Sequence, residues 1–227
     1  MSTPFTLLGL ACSINVVSMT KKAVVKLSYH HGDLRRALVA IGLSRVRAGG
    51  AEAFGLRDAA RSAGVTPGAT YKHFADKEAL LVAIAEEGFD LLAKRMLRAT
   101  LGKSGKERLS AVGRAYIDFA SAEPRLFRLM FSELGSARRA REKSINQADG
   151  APLGAFEQLR EALAEIKGIE PAAVADRDLA LAWSVAHGAA CLICDGAWKR
   201  RNSLADEAMR QVVDLISSQG SVRSTAS

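Results

Sequence analysis

Residues 59–80, AARSAGVTPGATYKHFADKEAL, constrain the fold more than any other stretch of this 227-residue chain. Gly64 stands between two short alanine-containing segments, where a glycine lets the backbone turn out of a helix. Two residues on, Thr66-Pro67 has the form of a helix start. Threonine takes the cap, and proline takes the first helical position, where its missing N–H is no loss. The spacing predicts a helix from about Leu56 to Ala63, a tight turn, and a two-turn helix that ends before Phe74-Ala75. Two short helices joined in this way make a helix-turn-helix, with the motif at about 55–74. In that arrangement the second helix enters the major groove of DNA while the first braces it across the backbone. Ala59, Ala60 and Ala63 are small enough for close bracing. Val65 packs beneath the turn, and Phe74 and Leu80 hold the far end against a three-helix core.

Helical patterning continues on both sides. Leu34, Ala37, Leu38, Ile41 and Val46 form an apolar stripe that begins near Asp33 and ends at Gly49-Gly50. Asp76 caps a long fourth helix with Leu80, Ile84, Phe89, Leu92 and Met96 along its inner side. A polar break at Gly102–Gly105 is followed by expected helices at about 106–121, 124–134, 151–167, 171–199 and 203–218, with a polar loop at 136–150. No strand pattern or repeat stands out. The fold class is all-α: an N-terminal three-helix DNA-binding domain, joined by a long helix to a C-terminal helical domain. The expected divisions are a flexible extension at 1–28, the DNA-binding domain at 29–92, a ligand-binding and dimerisation domain at 93–219, and a tail at 220–227.

The charge agrees with a polyanionic partner. The chain carries a net charge of +8, and most of it lies in the N-terminal third (Lys21, Lys22, Lys26, Arg35, Arg36, Arg45, Arg47, Arg57, Arg61, Lys72 and Lys77). Cys12, Cys191 and Cys194 make no disulfide framework, which fits a reducing cytoplasm. The apolar run FTLLGLACSINVVS at 5–18 has no charge before it and is too short to span a bilayer as a helix. It reads as an extension rather than a membrane anchor or a targeting signal.

On the reading helix, Thr66, Pro67, Gly68, Thr70, Tyr71, Lys72 and His73 are expected near DNA. Thr66, Tyr71, Lys72 and Lys77 suit phosphate oxygens, and Lys77 lies at the positive end of the fourth helix. His73 falls past the first turn, as a phosphate or packing contact. Arg35, Arg36, Arg45 and Arg47 are either further contacts or a solvated face. The stretch AGVTPGATYKHFADKEAL, with YHHGDLRRAL upstream at 29–38, closely resembles the TetR/AcrR family of bacterial transcriptional regulators. That resemblance covers 29–92 and places Tyr29, His30 and Arg57 with the DNA-binding residues. It implies a repressor-type homodimer on double-stranded DNA at a palindromic operator, released by a small-molecule effector held in the C-terminal domain. Three positions depart from the family pattern: Ala59 where a larger aliphatic is usual, Thr70 where an apolar residue is common, and Gly55 in place of a capping Ser or Thr.

In the C-terminal half, WSVAHGAACLICDGAW at 183–198 sets Trp183, His187, Cys191, Asp195 and Trp198 on one helical stripe. A metal or thiol site from His187, Cys191 and Cys194 lacks the converging ligands that zinc requires, so buried packing is the reading. The segment WSVAHG resembles a Trp-x-x-x-His-Gly motif of one class of TetR-family C-terminal domains, which implies a ligand-binding or dimerisation role. Trp183 and His187, with Phe127 and Phe131, are the candidate effector contacts. Phe119, Met130 and Phe156 are candidates for the same apolar wall, and all of these aromatics also suit plain core. No catalytic motif, cofactor site or metal site is expected. Two other classes fit less of the chain: a helical small-molecule-binding protein without specific DNA binding, and a helical enzyme.

Overall fold

The computed structural model describes residues 34–134, 154–198 and 203–221, and all regular structure there is helical. The expected extension at 1–28, Tyr29 and His30, the loop at 136–150 and residues 222–227 lie outside the described residues. The helices are α1 (Leu34–Gly49), α2 (Leu56–Ala63), α3 (Pro67–Tyr71), α4 (Lys77–Thr100), α5 (Gly105–Ala122), α6 (Pro124–Met130), α7 (Ala155–Lys167), α8 (Asp176–Cys194) and α9 (Ser203–Ser221). Short 3-10 turns at Ala51–Ala53 and Pro171–Ala173 lead into α2 and α8.

The helix ends follow from local chemistry. Gly64 takes a left-handed φ of 71° after α2, where its N–H bonds the Arg61 carbonyl and the Val65 N–H bonds the Ala60 carbonyl. This is the paired closure that favours glycine. Gly55 has no side chain with which to cap α2, and the Asp58 carboxylate accepts the Gly55 N–H at 3.2 Å instead. Asp76 caps α4, accepting from the Ala79 N–H at 2.7 Å.

Helices α1, α2 and α3 pack with the first turns of α4 into a small head. Leu38, Val46, Ala60, Leu80 and Ile84 are its sealed centre. The remaining turns of the 24-residue α4 run into the second body, so one rod about 36 Å long serves both. There Leu92 and Met96 meet α5, α6 and α7. Gly88 permits the tight α4–α6 crossing, since a Cβ at that site would come within 2.8 Å of Met130. Charged pairs tie the second body together. Arg108 of α5 bridges Glu161 and Glu165 of α7 at 2.8 and 3.0 Å, and Lys167 meets the buried Asp178 at 2.7 Å.

Three expected helices are shorter than the pattern suggested. The one expected at 151–167 begins at Ala155, after Gly154 at the cap. α6 ends at Met130 rather than near 134. Pro171 starts only a 3-10 turn, because extended Val174 is buried before α8 can begin at Asp176. α8 ends at Cys194, and Gly196 follows with φ 76°. Asp195 and Trp198 therefore stand beyond the helix instead of completing its stripe.

Candidate DNA-binding edge and effector core

α3 presents one edge to solvent. Thr66, Pro67, Gly68, Tyr71, Lys72 and His73 are all exposed, with Tyr71 at 50%. Thr66 has the extended backbone of a helix cap, but its side chain makes no capping hydrogen bond. Thr70 requires a correction: it is 0% exposed and its Oγ1 has no partner, so its side chain points into the head rather than toward DNA. It lies four residues before Phe74, on the same inward face of the helical turn. Phe74 is also buried, with the Arg35 guanidinium 5.3 Å above its ring. Arg57 is exposed at the start of α2. Lys77 lies at the start of α4, its Nζ 3.7 Å from Glu52 Oε2.

This arrangement gives an exposed edge with cationic and hydroxyl groups around one short helix, packed on α2, where Ala59 and Ala60 are buried. A helix so mounted fits the major groove while its neighbours meet phosphates. The head matches a family model described as bacterial regulatory proteins, tetR family, over residues 46–84. The second body matches a tetracyclin repressor-like C-terminal domain over residues 109–216. The chain belongs to the TetR family of bacterial transcriptional regulators. Among solved structures, a protein of unknown function from Rhodococcus sp. RHA1 shares 30% identity, covering 85% of this chain and 98% of that one at a TM-score of 0.58. A TetR/AcrR regulator from Thermobifida fusca YX-ER1 shares 23% identity over 81% and 96% of the two chains, with a TM-score of 0.54. FadR of Bacillus subtilis, solved with stearoyl-CoA, shares 14% identity over 81% and 97%, with a TM-score of 0.53. The last two speak to the fold. No curated protein matches the sequence.

In this TetR-family chain the four candidate effector residues converge. Trp183 stacks on His187 at 5.0 Å between ring centroids and 20° between planes. Phe131 and Phe127 lie 4.6 and 5.6 Å from the same imidazole. Tyr116, which pattern reading passed over, shares a 2.8 Å hydrogen bond between its Oη and His187 Nδ1. Its only sequence signal was a polar aromatic on the buried stripe of α5. Phe127 is sealed, whereas Phe131, Trp183 and His187 are half-buried. Phe119 and Met130 are buried in the core, but Phe156 is 43% exposed and does not belong to the apolar wall. Cys191 Sγ lies 3.5 Å from His187 Nε2, and the Cys194 thiol donates to the Ala120 carbonyl at 3.5 Å. Burial pushes both thiols up, Cys194 to about 11. Burial therefore favours the protonated thiols, which disfavours thiolate chemistry in the protein as it stands.

α6 touches both regions. At its start, Glu123 accepts from Arg47 of α1 at 3.0 and 2.9 Å. Arg125 donates to the Arg47 and Ala48 carbonyls at 3.0 and 2.7 Å, placing a cation at the negative end of α1. Further along, Phe127 enters the aromatic cluster and Arg128 bonds the Cys194 carbonyl at the end of α8. Arg47 is thus a link between the two bodies rather than part of a solvated face.

Proposed function

We propose that the protein is a repressor that binds a palindromic operator as a homodimer and leaves it when a small molecule occupies the C-terminal domain. The DNA-binding domain would span 29–92 and the regulatory domain 93–219. The exposed edge of α3 carries this reading: Thr66, Pro67, Gly68, Tyr71, Lys72 and His73 are presented together while Thr70 and Phe74 anchor them from within. Arg57 and Lys77 flank that edge for the phosphates. Two such edges about 34–36 Å apart would read successive major grooves. Support for a dimer comes from exposed Leu192, Leu204 and Leu215 on α8 and α9, and from the open space over Gly188.

The effector would be a largely apolar molecule with one hydrogen-bonding atom, matched to Trp183, Phe127, Phe131 and the His187–Tyr116 pair. The stearoyl-CoA in the B. subtilis FadR structure has an apolar acyl chain of that kind, joined to a polar, phosphate-bearing coenzyme A. α6 is the direct mechanical route from this cluster to the head, and its two end positions would be biased by the ligand as a population shift. Among the described residues no helix is long and apolar enough to cross a membrane. Selection of genomic fragments bound by the purified protein tests the reading. A recurring inverted repeat is expected, and recovery of no specific fragment would overturn it.

A further inference from the structure

The cations of the head differ in how they are engaged. Arg47 is taken by Glu123, Arg61 lies 3.3 Å from Asp58, Arg45 donates to Ser62 at 3.2 Å, and Arg35 lies over Phe74. Among the described residues Arg57 and Lys72 make no hydrogen bond or ion pair. Lys77 is the exception on the DNA-facing edge. Its Nζ is 3.7 Å from Glu52 Oε2, and the Glu52 side chain is 98% exposed. Glu52 belongs to the 3-10 turn Ala51–Ala53, just ahead of α2, so its carboxylate projects between the starts of α2 and α4. An ion pair so exposed adds little to folding. Its consequence arises when a second anion approaches the same lysine.

We propose that Glu52 competes with DNA phosphate for Lys77 and so limits how strongly the head binds DNA without regard to sequence. This rests on reading Lys77 as a phosphate contact. Sequence-independent affinity comes almost wholly from neutralising phosphates and releasing their counterions. A lysine already screened by a carboxylate neutralises less phosphate charge and so releases fewer counterions on binding. The ammonium has three donors and can bridge both anions, so Glu52 weakens the contact without abolishing it. Because a genome offers a vast excess of non-specific sites, lower background affinity leaves more protein free for its operator.

The test is a cycle of wild type, Glu52→Gln, Lys77→Gln and the double variant. Each is titrated against a mixed-sequence duplex of about three helical turns over a range of salt, with thermal unfolding to check the fold. Glu52→Gln should bind about two- to fivefold more tightly, the size of one unit charge removed at contact distance in water. Its log–log salt slope should steepen by up to about 0.9. Lys77→Gln should bind more weakly, and the gain from Glu52→Gln should disappear in the double variant. Weaker Lys77→Gln binding with no gain from Glu52→Gln would overturn the competition while leaving the lysine contact in place. An unchanged Lys77→Gln would remove the lysine reading and the proposal with it. A gain that persists undiminished in the double variant would show that Glu52 acts on DNA directly, contrary to the proposal.

Discussion

The exposed edge of α3 and the aromatic cluster around His187 differ in how they are assembled. The edge comes from one continuous stretch, Thr66 to Lys77, whose exposed side chains flank a bend fixed by Gly64 and Pro67. The cluster draws Tyr116 from α5, Phe127 from α6 and His187 from α8, and its members are one another's packing. In the first region, function can be altered while the fold stands. In the second, the contacts that would sense a ligand are also the contacts that hold the body together.

Phe127→Ala should show this most strongly. Removing a ring that is 2% exposed leaves a cavity among Tyr116, Phe131 and His187, at a cost of about 3–5 kcal/mol. Chemical denaturation should detect it, and a loss under about 1 kcal/mol would mean the cluster is not structural in this sense. Arg125→Ala tests the junction between the regions. Loss of the cation at the end of α1 should cost about 0.5–1 kcal/mol of stability. Operator affinity should change further if the pose of the head depends on that grip, and equal affinity would break the proposed route through α6. Thr70→Val is the smallest change. Replacing an unpartnered buried hydroxyl with a methyl should leave stability unchanged or raise it by up to about 1 kcal/mol, with DNA affinity unaltered. Weakened binding by a well-folded Thr70→Val protein would put that residue back at the DNA.

The same difference decides what could be read before the structure. Every boundary in the head rests on neighbours in sequence: Gly64 closes α2, Pro67 opens α3, and Asp76 caps α4. Those starts and stops were legible. Thr70 lies inward rather than near DNA because its i, i+4 relation to buried Phe74 phases it toward the core. In the second body, Trp183, His187, Phe127 and Phe131 were legible as aromatic candidates, but Tyr116 was not, since its partner is 71 residues away. The late start of α8 likewise depends on the burial of Val174, a tertiary fact. Glu123 and Arg125 carried no local signal either, because their role exists only where α6 meets the end of α1.

The central claim is that the exposed edge of α3 binds DNA, and Tyr71→Ala combined with Lys72→Ala addresses it most directly. Operator affinity of the double variant should be measured by fluorescence anisotropy on the duplex recovered from genomic selection, with thermal unfolding alongside. The expected result is an unfolding midpoint within a few degrees of wild type and binding weakened by about 30-fold or more, as loss of two backbone-positioning groups implies, with a shallower salt dependence. Unaltered affinity in the folded double variant would contradict the account and place the DNA contacts on a surface other than the edge of α3.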